Sequence, residues 1–117
     1  MSLGHQFKTT EELYSAIDLW ISDQNSAIKT FGHINNWYVN NKINISVKNI
    51  YELKKKEQIA FQLFINKKFR ESEIIYKEII DQKGLKEISF KNFAFICGMR
   101  GDMFGIEKNI KKALEIN

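Results

Sequence analysis

At 117 residues, 44% apolar and 27% charged, the chain has the length and composition of one folded domain and not of a disordered segment. Its apolar runs, such as Phe93 to Cys97, are too short to cross a bilayer, and no basic stretch followed by an apolar one opens it, so a spanning helix and a secretory signal are not expected. The net charge of +4 comes from lysines interleaved with glutamates, which suits solvated helix surfaces better than the one-sided basic patch of a nucleic-acid binder.

Residues 1–6 read as a tail, disordered or left over from cloning, with Met1-Ser2-Leu3 outside any fold. Thr9 and Glu12 then have the spacing of a capping box, in which the hydroxyl accepts from a first-turn amide and the carboxylate reaches back. Leu13, Ala16, Ile17, Trp20 and Ile21 follow at helical spacing and give one apolar stripe. A second short helix is expected over Asn25 to Thr30, closed by Gly32 as a left-handed cap. Ile34, Trp37 and Val39 lie among Asn35-Asn36 and Asn40-Asn41, whose side chains bond their own backbone and oppose helix. A short strand or an ordered loop is expected there.

From residue 50 onward the pattern is helical throughout. Leu53 to Ile65, Phe69 to Gln82, Glu87 to Met99 and Phe104 to Ile116 each repeat apolar residues every three or four positions. Breaks fall at Asn66-Lys67-Lys68, Lys83-Gly84-Leu85 and Arg100-Gly101-Asp102, and the absence of proline suits helices joined by short turns. Sliding the chain on itself by 34 residues aligns these breaks. It places Ala60 on Ala94, Leu63 on Cys97, Phe69 on Met103, Tyr76 on Ile110 and Ile80 on Leu114. The predicted organisation is therefore a tail (1–6), an N-terminal helical leader and connector (7–49), and two helix-turn-helix units (50–83 and 84–117).

That period and those positions resemble a pair of tetratricopeptide repeats. The small residue of each first helix is Ala60 and Ala94. The second helices offer Ser72, Tyr76 and Ile79, then Ile106, Ile110 and Ala113; the unit opens without the family's tryptophan, and Ile79 stands where alanine is usual. The resemblance implies a mainly α fold, a fragment of a right-handed α-α superhelix preceded by a helical cap with a short irregular or β-like segment. Residues 7–39 resemble a second family, the helical leader of BspA-type surface proteins, through Phe7-Lys8-Thr9, Ala16-Ile17-Asp18-Leu19-Trp20, Phe31-Gly32 and Trp37. Past Trp37-Tyr38-Val39-Asn40 the likeness stops. It implies a packing cap and carries no activity.

No residue set points to catalysis. His33 sits in a turn and His5 in the tail, and with one cysteine they do not supply the three or four ligands of a metal site. Cys97 shares an apolar stripe with Phe93, Ala94 and Met99, which suits a buried, inert thiol, and a lone cysteine suits a reducing cytoplasm. Gly98, Gly101 and Gly105 mimic a phosphate loop without its Lys-Ser/Thr or preceding strand, and Arg100-Gly101-Asp102 is read as a coincidental tripeptide. Trp20 and Trp37 are expected as core anchors. No catalytic residue, cofactor or metal is expected.

By family position, the concave face is lined by Lys54, Glu57, Phe61, Phe64 and Ile65 from the first unit and by Lys91, Asn92, Phe95 and Met99 from the second. Lys91-Asn92 is similar to half of a basic clamp for C-terminal carboxylates, but Glu57 and Gln58 at the matching positions break it. The face is otherwise apolar, as contact surfaces are. Two units fall short of the roughly three that such stacks need to bury their faces, so a cover is required. It comes from a partner helix or peptide, from the N-terminal helix, or from a second protomer. The sequence thus predicts a cytoplasmic, non-enzymatic protein-interaction module, with a capacity to dimerise. A basic, nucleic-acid-associated helical protein is the alternative.

Overall fold

The computed structural model describes residues 4–39 and 46–116. The expectations that fall on Met1-Ser2-Leu3, Asn40-Asn41 and Asn117 lie outside the described residues. Among those described, the chain is mainly α, with six helices and two strands of two residues each. It divides into two compact units, residues 1–55 and 56–117, and the third helix runs across the division.

In the first unit α1 covers Thr10–Ser22 and α2 covers Gln24–Phe31. The Thr9 hydroxyl accepts from the Glu12 amide at 3.1 Å, as a capping box requires. The Glu12 carboxylate goes elsewhere: its Oε1 lies 2.9 Å from His5 Nε2, and its Oε2 accepts at 3.5 Å from the Lys8 amide. Residues 4–6 are therefore part of the fold and not tail. β1 (Gln6–Phe7) pairs in parallel with β2 (Tyr38–Val39), Gln6 opposite Tyr38 and Phe7 opposite Val39. This is the strand alternative at Val39, with a partner that the isolated dipeptide Gln6-Phe7 does not announce.

The apolar stripe of α1 does what its spacing predicts. Leu13, Ala16, Ile17 and Trp20 are buried, and with Phe7, Ala27, Trp37 and Ile50 they form one core. Phe7 and Trp37 meet edge to face at 5.1 Å, and Trp20 and Trp37 at 5.8 Å. The indole N–H of Trp37 donates to the Gly32 carbonyl at 2.9 Å, so its polar end is satisfied where its ring is buried. Gly32 ends α2 with φ 78° and ψ −175°, outside the left-handed helical region expected of it and in a region open essentially to glycine alone.

The second unit is a pair of helical hairpins built from the C-terminal half of α3 (Val47–Ile65) with α4 (Phe69–Ile79), α5 (Glu87–Met99) and α6 (Met103–Ile116). First helices end at 65 and 99 and second helices begin at 69 and 103, each pair 34 residues apart. The turns repeat as well. The amides of Lys67 and Lys68 donate to the carbonyls of Phe64 and Leu63, and those of Gly101 and Asp102 to Gly98 and Cys97. This is the paired 5→2 and 6→1 pattern of a Schellman cap, with Lys67 (φ 63°) and Gly101 (φ 72°) in the left-handed position. Ala60 and Ala94 are buried at the helix crossings, where the Ser72 hydroxyl donates to the Ala60 carbonyl at 2.8 Å.

Two boundaries differ from expectation. α3 starts at Val47, well before Leu53, because Ser46 caps it through the Asn49 amide (3.1 Å) and Ile50 on its first turns is buried in the N-terminal core. α4 stops at Ile79, before Gln82, in a turn through Ile80 and Asp81 that precedes Gly84 at positive φ.

Candidate functional site

The nine residues predicted for the concave face separate into three groups. Lys54, Glu57 and Asn92 are withdrawn from solvent, which corrects their assignment to a docking surface. The Lys54 ammonium lies 3.4 Å from Asp18 and over the Tyr14 ring. The Glu57 carboxylate accepts from the Lys86 amide at 2.7 Å and from the Ser89 hydroxyl at 2.6 Å, and so caps the N-terminus of α5. The Asn92 amide donates to the Tyr76 hydroxyl at 3.1 Å. In each case family position put the residue on the inner side of its helix, and a neighbouring element already occupies that side.

Phe61 and Phe64 are half-buried. Phe64, Phe69 and Phe95 form a triangle of rings with centroids 5.2 to 5.6 Å apart. Phe69 was not among the predicted site residues, although its apolar position after the turn pointed to a contact there.

The remaining predicted residues are open to solvent. Phe95 is 54% and Met99 57% exposed, Ile65 is comparably open, and Lys91 is exposed with its ammonium 2.6 Å from Glu87. Phe95, Met99 and Lys91 border a shallow apolar groove of about 530 Å³ between α5 and α6, completed by Ala94, Gly98, Ile106 and Ile110. The α6 contribution was missed because family position drew attention to first helices only. The signal was present in the 34-residue alignment, which sets Ile110 on Tyr76 and Leu114 on Ile80. Tyr76 and Ile80 are buried, whereas Ile110 is 40% and Leu114 66% exposed. Met103 and Phe104 extend the same open apolar helix.

Elsewhere the reactive side chains are held quiet. Burial raises the Cys97 thiol above its ordinary pKa, and the nearby Asp102 and Glu73 carboxylates push it the same way, so the thiol stays protonated and a weak nucleophile. Burial likewise raises the Tyr76 phenol, against the opposing pull of its hydrogen bond with Asn92. His33 Nδ1 accepts from the Asn35 amide at 3.2 Å while its ring stands edge-on to Trp20 at 5.0 Å. Glu73 pairs with Arg100 at the rim of a polar pocket shared by α4, α5 and α6. Among the described residues no three or more of His, Cys, Asp and Glu are grouped so as to hold a metal ion, and no helix is long and apolar enough to cross a membrane. Compared with family models, curated proteins and solved structures, the chain finds no match in any of the three.

Proposed function

We propose that the chain is a non-catalytic protein-interaction module, whose two tetratricopeptide-like hairpins receive a helix on the apolar face of α5 and α6. One observation carries this reading. Three of the residues that line the groove are the 34-residue counterparts of residues that, in the first hairpin, hold α5: Glu57, Phe64 and Tyr76 touch it, and Lys91, Gly98 and Ile110 occupy the same positions one hairpin later. A surface that accepts a helix once, and recurs uncovered, is shaped for another amphipathic helix. The unpaired Cys97 supports a reducing, cytoplasmic setting.

Selection of displayed peptides against the whole chain tests the reading. Binders should carry apolar residues at i, i+3 or i+4, and i+7, and should lose their affinity for a Met99→Asp, Ile110→Asp variant. That variant should keep its helical circular dichroism, since both side chains are already exposed. Recovery of no binder, or of binders indifferent to the substitutions, would overturn the reading.

A further inference from the structure

Resting on that reading of the face, we infer that its occupant is a second copy of this chain, stacked head to tail, with α3 of one copy seated on α5 and α6 of the other. The internal contact between the hairpins supplies the template. There, besides the Ser89 hydroxyl on Glu57, α5 and the residue after it meet the first hairpin through four side chains: Asn92 bonds Tyr76, Phe93 lies 6.3 Å from the same ring, Phe95 joins Phe64 and Phe69, and Arg100 pairs with Glu73. Moved back by 34 residues, those four are Gln58, Ile59, Phe61 and Asn66 of α3. None of them is buried: Ile59 is 48% exposed, and with Gln58 and Asn66 it borders a shallow groove of about 270 Å³ on α3. Moved forward by 34, the receiving residues Tyr76, Phe64, Phe69 and Glu73 become Ile110, Gly98, Met103 and Glu107, and these too are exposed.

Both halves of the internal interface thus recur unsatisfied within the same chain, one on each end of the hairpin pair. Bringing them together sets Ile59 of one copy on Ile110 of the next, Phe61 beside Gly98 and Met103, and Asn66 within reach of Glu107. The exchange is weaker in polar terms than the original. The Glu73–Arg100 pair becomes Glu107 with Asn66, and Glu57 with its partners Lys86 and Ser89 becomes Lys91 with Glu52 and Lys55, which nearly cancel. The association is therefore reversible and driven by the apolar contacts. Because the two patches differ, the contact is heterologous and each added copy leaves both kinds of end available.

Sedimentation velocity of the intact chain over a range of concentrations tests this with two charge variants, Ile59→Asp on the α3 patch and Ile110→Asp on the α6 patch. Each variant alone should remain a monomer of the 13.8 kDa chain, while the wild type grows in mass with concentration. An equimolar mixture of the two variants should regain one contact and stop at two copies, because each retains the patch that the other lost. Met103→Glu replaces Ile110→Asp if the latter loses its helical circular dichroism, since Met103 is the more exposed of the two. A wild type that stays monomeric, a single variant that still assembles, or a mixture that forms no heterodimer would each overturn the proposal. A monomeric wild type that still binds selected helical peptides on the α5–α6 face would reject the second copy alone and leave the interaction module standing.

Discussion

Single positions show where this sequence agrees with its backbone and where it is strained. Lys67 and Gly101 occupy the same left-handed cap position in the two hairpins, but only one of them is glycine. A non-glycine residue there costs about 1–2 kcal/mol, and glycine returns roughly 0.5–1 kcal/mol of that through the extra freedom of the unfolded chain. Lys67→Gly should therefore raise stability by about 0.5–1 kcal/mol, measured as a higher urea midpoint with unchanged slope. Gly32 presents the reverse case. An added methyl would touch nothing within 4 Å, so Gly32→Ala isolates the backbone cost of φ 78° and ψ −175°, expected at about 1–3 kcal/mol. Unchanged stability would mean that α2 ends in another conformation. Glu12 ties stability to pH. Its hydrogen bond with His5, the largest influence, holds its pKa below the ordinary 4.5, so the folded state binds that proton less readily than the unfolded one. The resulting stability is present above 4.5 and lost as pH falls through the folded value. Melting curves at pH values bracketing that point should show Glu12→Gln less stable than wild type on the neutral side, with the gap closing in acid.

At the scale of whole elements, α5 depends on a carboxylate that belongs to another helix. Lys86, the N-cap residue of α5, makes no side-chain capping bond, and Glu57 of α3 caps the helix instead, through the Lys86 amide and Ser89 hydroxyl. Removing it leaves donors without their acceptor at a helix N-terminus, so Glu57→Ala should cost about 2–3 kcal/mol in chemical denaturation. The mainly α fold, the helix ends at 65 and 99 and the helix start at 69 were legible in the sequence, and the start at 103 to within one residue, because apolar spacing and turn residues are local signals that a 34-residue period doubles. The role of Glu57 was not legible. Family position put it on the inner side of α3, and from there a solvent-facing ligand contact and a buried cap for the next helix look alike until the next helix has a position. The same holds for Lys54 and Asn92, each committed to a partner 36 or 16 residues away in sequence. β1 escaped notice for a related reason: two residues have no periodicity, and Gln6-Phe7 becomes a strand only because Tyr38-Val39 lies beside it. Conversely, the open face of α6 was written in the alignment of Ile110 with Tyr76. It needed only the observation that Tyr76 is covered and Ile110 is not.

For the molecule as a whole, the net charge of +4 leaves one broad alternative to answer, a basic surface for nucleic acid. Affinity of that kind grows with the number of cations that can be turned toward phosphates together, and it falls steeply with salt as counterions are released. Here four of the cations are engaged singly and on different elements. Lys56 meets Glu78, Lys91 meets Glu87, Arg100 meets Glu73 and Lys112 meets Asp81. Each pair contributes little to stability where it is exposed, but together they distribute positive charge among carboxylates instead of gathering it on one face. Several of the aromatic rings that could stack on bases are already packed within the fold. Trp20 and Trp37 are buried against each other, and Phe64 and Phe69 close on Phe95. Gel-shift titration of single- and double-stranded probes at about 50 mM salt, where phosphate contacts are strongest, should therefore show no retardation at micromolar protein. A retarded band that weakens as salt rises would reverse this expectation. Its log–log slope would count the lysines brought to the backbone, and replacing Lys108 and Lys111 on α6 would show whether that helix serves phosphates and not apolar contact.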